Sequence, residues 1–261
     1  MSAILYYTSS LKNELIKLKR TFAFWLTIIS AIIFPALFFI AYIFERKTLV
    51  PVAGINPWEK FMVTQIENST PFFIPMFIVL ITSLIMQIEH KSLGIKHLFS
   101  LPIPKWSVYF GKLTIVVFAI ITTYIYYYIT LLLSGLLLGL IYSDLAFLDF
   151  QPNHLKYINE LSTSFIASLG IIGIQFWLSF RFKNFIVPLG FGMFLAIIGI
   201  IVSQAPEQSI YFPYSFSVLS VSLGDKMPLI IGFSSVTFYS VFCFLLTAIL
   251  GYLDIKKLNV N

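Results

Sequence analysis

Six long apolar runs, each without Asp, Glu, Lys, Arg or His, are the feature that most limits how this chain can fold. Each is close to or above the roughly 20 residues that a helix needs to cross a bilayer. They make the chain 59% hydrophobic and only 11% charged, whereas a soluble domain is about a quarter charged. We therefore predict one all-α integral membrane domain over residues 1–261. Its six transmembrane helices are expected near residues 21–44, 71–88, 113–142, 161–180, 185–204 and 228–253.

The basic residues are unevenly distributed between the ends of these runs. With both termini in the cytoplasm, the cytoplasmic segments carry twelve of the seventeen Lys and Arg, and the outer segments carry five. This excess is what the positive-inside rule requires, so the net charge of +6 follows membrane topology and does not indicate nucleic-acid binding. The first run is too long for a cleaved signal peptide. A multi-pass protein of the inner (plasma) membrane is expected.

Residues 1–20 form a short basic segment before the first run. Leu11, Leu15 and Leu18 recur at helical spacing, and charged residues fill the other faces. One interpretation is an amphipathic interfacial helix whose leucines sit in the headgroup layer and whose lysines meet anionic lipid. The other is a plain basic flank that sets orientation. Both place the segment at the cytoplasmic surface.

The polar, basic insert at residues 87–106 separates the second run from the third. Its leucines and Phe99 could lie in a groove of a partner, as the apolar face of an amphipathic helix does. Pro102 and Pro104 would then end that helix and turn the chain back. The charge distribution places this insert in the cytoplasm, where we interpret it as a handle for a partner protein.

Small and aromatic residues mark the remaining segments. Gly135 and Gly139 form a G-x-x-x-G pattern, and Gly170 and Gly173 lie three apart. Such sites let helices approach closely, either within one bundle or between two subunits. Residues 205–227 combine prolines with an aromatic run and indicate an interfacial or re-entrant outer segment.

The sequence offers little for chemistry. It has no G-x-x-x-x-G-K-[ST] loop and no G-x-G-x-x-G fingerprint, so ATP would have to be hydrolysed by another chain. The runs lack the ionisable groups typical of ion-coupled carriers. His90 and His97 share a helix face beside Glu89 but have no third metal ligand nearby in sequence. We expect no catalytic residue, no cofactor and no metal.

Together these features resemble the permease subunits of type 2 ABC transporters, especially the lantibiotic-immunity and bacitracin-resistance branch. The resemblance is carried by the segment Leu11–Arg20 before the first run, by Glu89 with Gly94, and by Leu101-Pro102-Ile103-Pro104-Lys105. In topology it extends over the whole chain. The outer segment 45–70 is longer than in the shortest members and has no assigned role.

The resemblance implies specific partners and sites. Two permeases, identical or related, would form a dimer with a separate ATP-binding cassette ATPase beneath each. The insert would be the coupling helix, with the contacts Glu89, Gly94, His97, Leu98, Leu101 and Pro102. Glu14, Lys17 and Leu18 would lie on the interfacial connecting helix, and about Tyr211–Leu223 would be outer re-entrant helices.

The function implied is ATP-driven outward movement of an amphipathic peptide, antibiotic or lipid-like substrate. The alternatives are a non-transporting membrane anchor or assembly subunit, a secondary transporter, and a membrane hydrolase.

Overall fold

The computed structural model describes residues 3–52, 54–91, 104–222, 229–230 and 233–257, which are almost entirely helical. The long helices are α1 (Ala3–Lys19), α2 (Phe22–Phe44), α4 (Pro57–Ser69), α5 (Phe73–Lys91), α6 (Lys105–Ile141), α7 (His154–Arg181), α8 (Ile186–Val202) and α11 (Ser235–Lys257). Short helices are α3 (Arg46–Leu49), α9 (Pro206–Ser209) and α10 (Phe216–Ser222), with 3₁₀ turns at Ser143–Leu145 and Pro213–Ser215. A two-residue antiparallel pair, β1 (Leu229–Ile230) and β2 (Phe233–Ser234), precedes α11.

Four of these helices are long and apolar enough to cross a membrane, namely α2, α6, α7 and α11. A fifth span is formed if α4 and α5, which meet at a 52° bend, are taken together. Helix α8 is apolar but has only 17 residues, which is short for a hydrocarbon core of about 30 Å. Each of the six predicted runs thus forms a helix, and six complete spans remain a prediction.

Local sequence explains where several helices begin. Pro57 occupies the first turn of α4, and the Asn56 side chain before it accepts a hydrogen bond from the backbone N–H of Trp58 at 3.0 Å. Asn153 caps α7 in the same way through Lys156 N–H at 3.2 Å. Helix α6 starts directly after Pro104. Helices α6 and α7 therefore begin before the apolar runs predicted at 113 and 161, because α6 starts after Pro104 and α7 after the Asn153 cap, irrespective of hydropathy.

Helix α6 is the longest helix among the described residues. Its 37 residues extend about 55 Å at 1.5 Å per residue, more than the hydrocarbon core. Helices α1, α2, α5 and α7 all pack on it. We call the end of the bundle at Lys105 the basic end, because α1 and the last turns of α7 and α11 lie there. We call the opposite end the cap end.

A proline inside α2 is matched by a threonine on α6. Pro35 has no N–H, so the carbonyl of Ala31, four residues earlier, lacks its usual helical donor. Thr130 Oγ1 lies 2.8 Å from that oxygen and can donate to it. Satisfying a backbone carbonyl in this way is needed wherever a helix is surrounded by lipid.

Hydrogen bonds between neutral polar groups connect several helices at the centre of the bundle. Gln175 on α7 is fully buried, and its Nε2 donates to Ser83 Oγ at 3.0 Å and to the Pro188 carbonyl at 2.8 Å. Its Oε1 accepts from Tyr214 Oη at 3.3 Å. This amide connects α5, α7, α8 and the 3₁₀ turn that contains Tyr214.

The predicted close-approach glycines serve contacts within one chain. On α7, Gly170 N–H donates to Ser240 Oγ of α11 at 2.9 Å, and Gly173 leaves room for Thr247 and Phe244 of α11. On α6, a β-carbon at Gly135 would lie 2.5 Å from the ring carbon Cζ3 of Trp58. The sequence left open whether these glycines serve packing within one bundle or between two subunits. At these positions they serve packing within one chain.

Candidate functional site: two ionic joints at the basic end

The predicted coupling insert lies at the basic end, between α5 and α6. Gln87–Lys91 continue α5 and Lys105 and Trp106 begin α6, so the insert is shorter than the predicted 87–106. Glu89 lies in the last turn of α5. Gly94, His97, Leu98, Leu101 and Pro102 lie outside the described residues, so their coupling role stays a prediction.

Helix α1 is attached to the first turns of α6 by a buried ion pair. Glu14 Oε2 lies 2.7 Å from Lys112 Nζ, and their side chains are only 8% and 2% exposed. Glu14 Oε1 also lies 3.1 Å from Lys17 Nζ, whose side chain is 37% exposed. A buried charge is costly unless it is paired, so this arrangement holds Glu14 and Lys112 together. We call these three residues the α1–α6 joint.

Aromatic and small residues extend the same contact toward the insert. Tyr7 stacks on Trp106 with ring centroids 6.3 Å apart, and its hydroxyl lies 2.7 Å from Thr114 Oγ1. Gly111 allows the close approach, because a β-carbon there would lie 2.7 Å from Ser10 Oγ. Helix α1 is therefore fixed alongside the first turns of α6, which follow the insert directly.

The predicted position of Leu18 needs correction. In the interpretation as an interfacial helix, Leu11, Leu15 and Leu18 would face the headgroup layer, but Leu18 is 6% exposed and belongs to the protein core. Leu15 remains 36% exposed. The stripe is divided because α6 and α2 cover one side of α1. Glu14, Lys17 and Leu18 all lie on α1, and the role of α1 as an interfacial connecting helix stays a prediction.

A second joint connects α7 with α11. Asp254 accepts a hydrogen bond from Trp177 Nε1 at 3.2 Å, and its carboxylate lies 3.6 Å from Arg181 Nη1. Gly251, one turn earlier, makes room for the Tyr109 hydroxyl and for the Trp177 ring. Helices α6, α7 and α11 thus meet at one level of the basic end.

Sequence reasoning missed Lys112, Trp177 and Asp254 as structural partners. Lys112 and Asp254 were counted only as cytoplasmic charges flanking spans. No local signal in the sequence connects Glu14 to Lys112, a residue 98 positions away.

The two joints connect neighbouring helices, and their residues do not form a catalytic arrangement. Among the described residues, no group of three His, Cys, Asp or Glu side chains converges. The charged residues of the joints are engaged with one another. The geometry is that of a helical multi-pass membrane protein in which a buried ion pair fixes α1 to the first turns of α6 at the basic end.

Comparison with known proteins identifies the family. The model of the ABC-2 family transporter proteins matches residues 10–199, which is more than half of the chain. The chain belongs to this family, whose members are membrane transport components rather than catalysts. No curated protein and no solved structure matches it.

Proposed function

We propose that this chain is the permease subunit of an ATP-binding cassette transporter whose ATPase is a separate chain docked at residues 87–106. It moves an amphipathic peptide, antibiotic or lipid-like substrate outward, as in the lantibiotic-immunity branch that its sequence resembles. The α1–α6 joint is the main support. Because Glu14 and Lys112 hold α1 to the first turns of α6, a push on the insert is delivered to two helices together. Rigid-body input of this kind needs such a stiff receiver.

The distribution of charge supports an orientation with the basic end in the cytoplasm. That end carries most of α1's lysines, Lys112, Arg181 and the last turn of α11 with Lys256 and Lys257. Fewer basic residues lie at the cap end. The positive-inside rule then places both termini in the cytoplasm, with six crossings if α8 is counted as a short span.

The neutral interior supports an amphipathic cargo. The central amide of Gln175 is satisfied by hydroxyl and carbonyl groups, and no charged side chain takes part in these bonds. A pathway built from such groups suits apolar and hydrogen-bonding surfaces better than a compact ion, which would need charged or closely coordinating groups.

An exposed face of α8 supports pairing with a second permease, identical or related. Phe191, Phe194 and Ile197 are about half exposed there. On the same helix, a β-carbon at Gly190 would meet no atom of the described chain within 4 Å. A glycine inside a helix costs about 1 kcal/mol relative to Ala, and the close approach of a partner helix would explain it.

Co-purification tests the ATPase assignment. The chain is expressed with the ATPase encoded beside it, and the double variant Glu89→Ala with Leu98→Asp should lose the ATPase from the detergent-extracted complex. Leu155→Asp is the matched control, because Leu155 is 83% exposed at the cap end and its substitution should leave the complex intact. An unchanged yield of ATPase with the double variant would remove the docking assignment.

A further inference from the structure

The segment that follows α2 (residues 46–52 and 54–70), for which sequence and family provide no role, contacts the chain around residues 144–156 at the cap end. We define the cap as residues 46–52 and 54–70 together with residues 142–157. Helices α3 and α4 supply the first part, and the 3₁₀ turn and the start of α7 supply the second. The two parts lie about ninety residues apart in the chain, yet they are joined at several points.

The Trp58 side chain connects the two parts of the cap. It is 1% exposed, and its Nε1–H is shared between the carbonyls of Phe147 at 2.9 Å and Phe150 at 3.1 Å. Its ring packs edge-on against Phe147 with centroids 5.1 Å apart. On its other side the ring fills the space that Gly135 of α6 leaves open. One side chain of α4 therefore joins both parts of the cap to α6.

At its exposed edge, the cap is held by two ion pairs, each of which contributes little to stability. Arg46 Nε lies 2.7 Å from Asp144 Oδ2, with the two side chains 42% and 35% exposed. Lys156 Nζ lies 3.7 Å from Glu59 Oε1. Exposed pairs of this kind therefore stabilise the closed arrangement only weakly.

Three buried polar side chains lie on helices that meet at the cap. Gln65, Tyr157 and Ser217 are fully buried, on α4, α7 and α10, and these three helices contact one another. Within the described part of the chain, the Gln65 amide, the Tyr157 hydroxyl and the Ser217 hydroxyl have no hydrogen-bond partner. Burying such groups unpaired is unfavourable. Opening the cap would hydrate them, which reduces the net cost of opening.

Two further features would allow the cap to move: a bend between α4 and α5, and the contact of the cap with α6. Helices α4 and α5 meet at a 52° bend across residues 70–72, where the chain contains Pro71. Helix α6 would transmit the movement. It is one uninterrupted helix that runs from Lys105, next to the insert, to Ile141. A displacement at its first turns reaches Gly135 and the Trp58 ring without crossing a flexible joint.

We propose that the cap is an outer gate, closed in this structure. Movement of α6 releases Trp58, α4 swings about residues 70–72, and the face that carries Gln65 becomes accessible to water. The coupling of this gate to ATP rests on the proposed function, whereas the gate itself does not.

Thiol accessibility tests the gate. In a Cys243→Ser background, which removes the single cysteine of the chain, Gln65→Cys is reacted with a membrane-impermeant maleimide in lipid nanodiscs. Adding Trp58→Phe keeps an aromatic ring but removes the N–H shared by the two carbonyls, and should raise the labelling rate five- to tenfold. Asn68→Cys, exposed on the same helix, should label rapidly throughout. Ala31→Cys, buried in α2, should label slowly throughout.

The second arm uses the complex with the neighbouring ATPase. Trapping it with ATP and vanadate should raise Gln65→Cys labelling at least tenfold over the nucleotide-free complex. Equal rates in the two states, or no effect of Trp58→Phe, would overturn the proposal. Hydrogen exchange of residues 57–69 in the unsubstituted chain provides the same readout without a cysteine. If no ATPase co-purifies, the proposed function fails, and the Trp58→Phe arm still decides whether the gate exists.

Discussion

The α1–α6 joint makes a quantitative prediction. Glu14→Leu removes the carboxylate 2.7 Å from Lys112 Nζ, where the lysine side chain is only 2% exposed. Removing one partner of a buried ion pair costs about 3–5 kcal/mol, because the other charge stays buried. Lys112→Met leaves the Glu14 carboxylate beside Lys17 at 3.1 Å, so a smaller loss of about 1–3 kcal/mol is expected. The double variant removes both charges and replaces them with apolar volume, and it should be more stable than Glu14→Leu alone.

Unfolding in mixed micelles with increasing dodecyl sulfate, followed by tryptophan fluorescence, measures these differences in the free energy of unfolding. Lys12→Met is the control, because Lys12 is an exposed lysine of the same helix and its loss should change stability by about 0.5 kcal/mol or less. A cycle of the four proteins gives the coupling energy of the pair. Additive losses, with the double variant less stable than either single variant, would show that the two side chains do not act as a pair.

Three further predictions concern the packing of α6 and α8. Thr130→Val should destabilise the chain by about 1–3 kcal/mol, because the Ala31 carbonyl freed by a proline loses its donor; the same micelle unfolding measures it. Gly135→Ala should cost about 1–3 kcal/mol by displacing the Trp58 ring. Gly190→Ala, with open space around its β-carbon, should stabilise the monomer by about 1 kcal/mol and lower the yield of chemically cross-linked permease pairs; equal effects of the two glycine substitutions would contradict this assignment.

The helices themselves could largely be predicted from the sequence. Apolar run length decides where a helix can lie in a bilayer, and local residues such as Asn56 and Pro104 decide where α4 and α6 begin. These are signals carried within one segment. They predicted a helix in each apolar run and placed the insert between the second run and the third, and they left residues 1–20 as either an amphipathic helix or a plain basic flank.

The contacts between helices could not be predicted in this way. Glu14 and Lys112 were interpreted as two separate cytoplasmic charges, and Leu18 as a headgroup contact. Which side of α1 meets α6 depends on shape, namely the gap at Gly111 that admits Ser10. Apolar helices offer many similar faces, so hydropathy alone does not select among them.

The sequence by itself determined the class of protein, because apolar length and charge asymmetry are additive properties of segments and need no knowledge of neighbours. The tertiary structure alone decided that the segment around Trp58 closes over the cap end and that Glu14 is joined to Lys112. Both contacts connect positions about ninety or more residues apart. Each forms only when the helices pack, because nothing within either segment selects its distant partner.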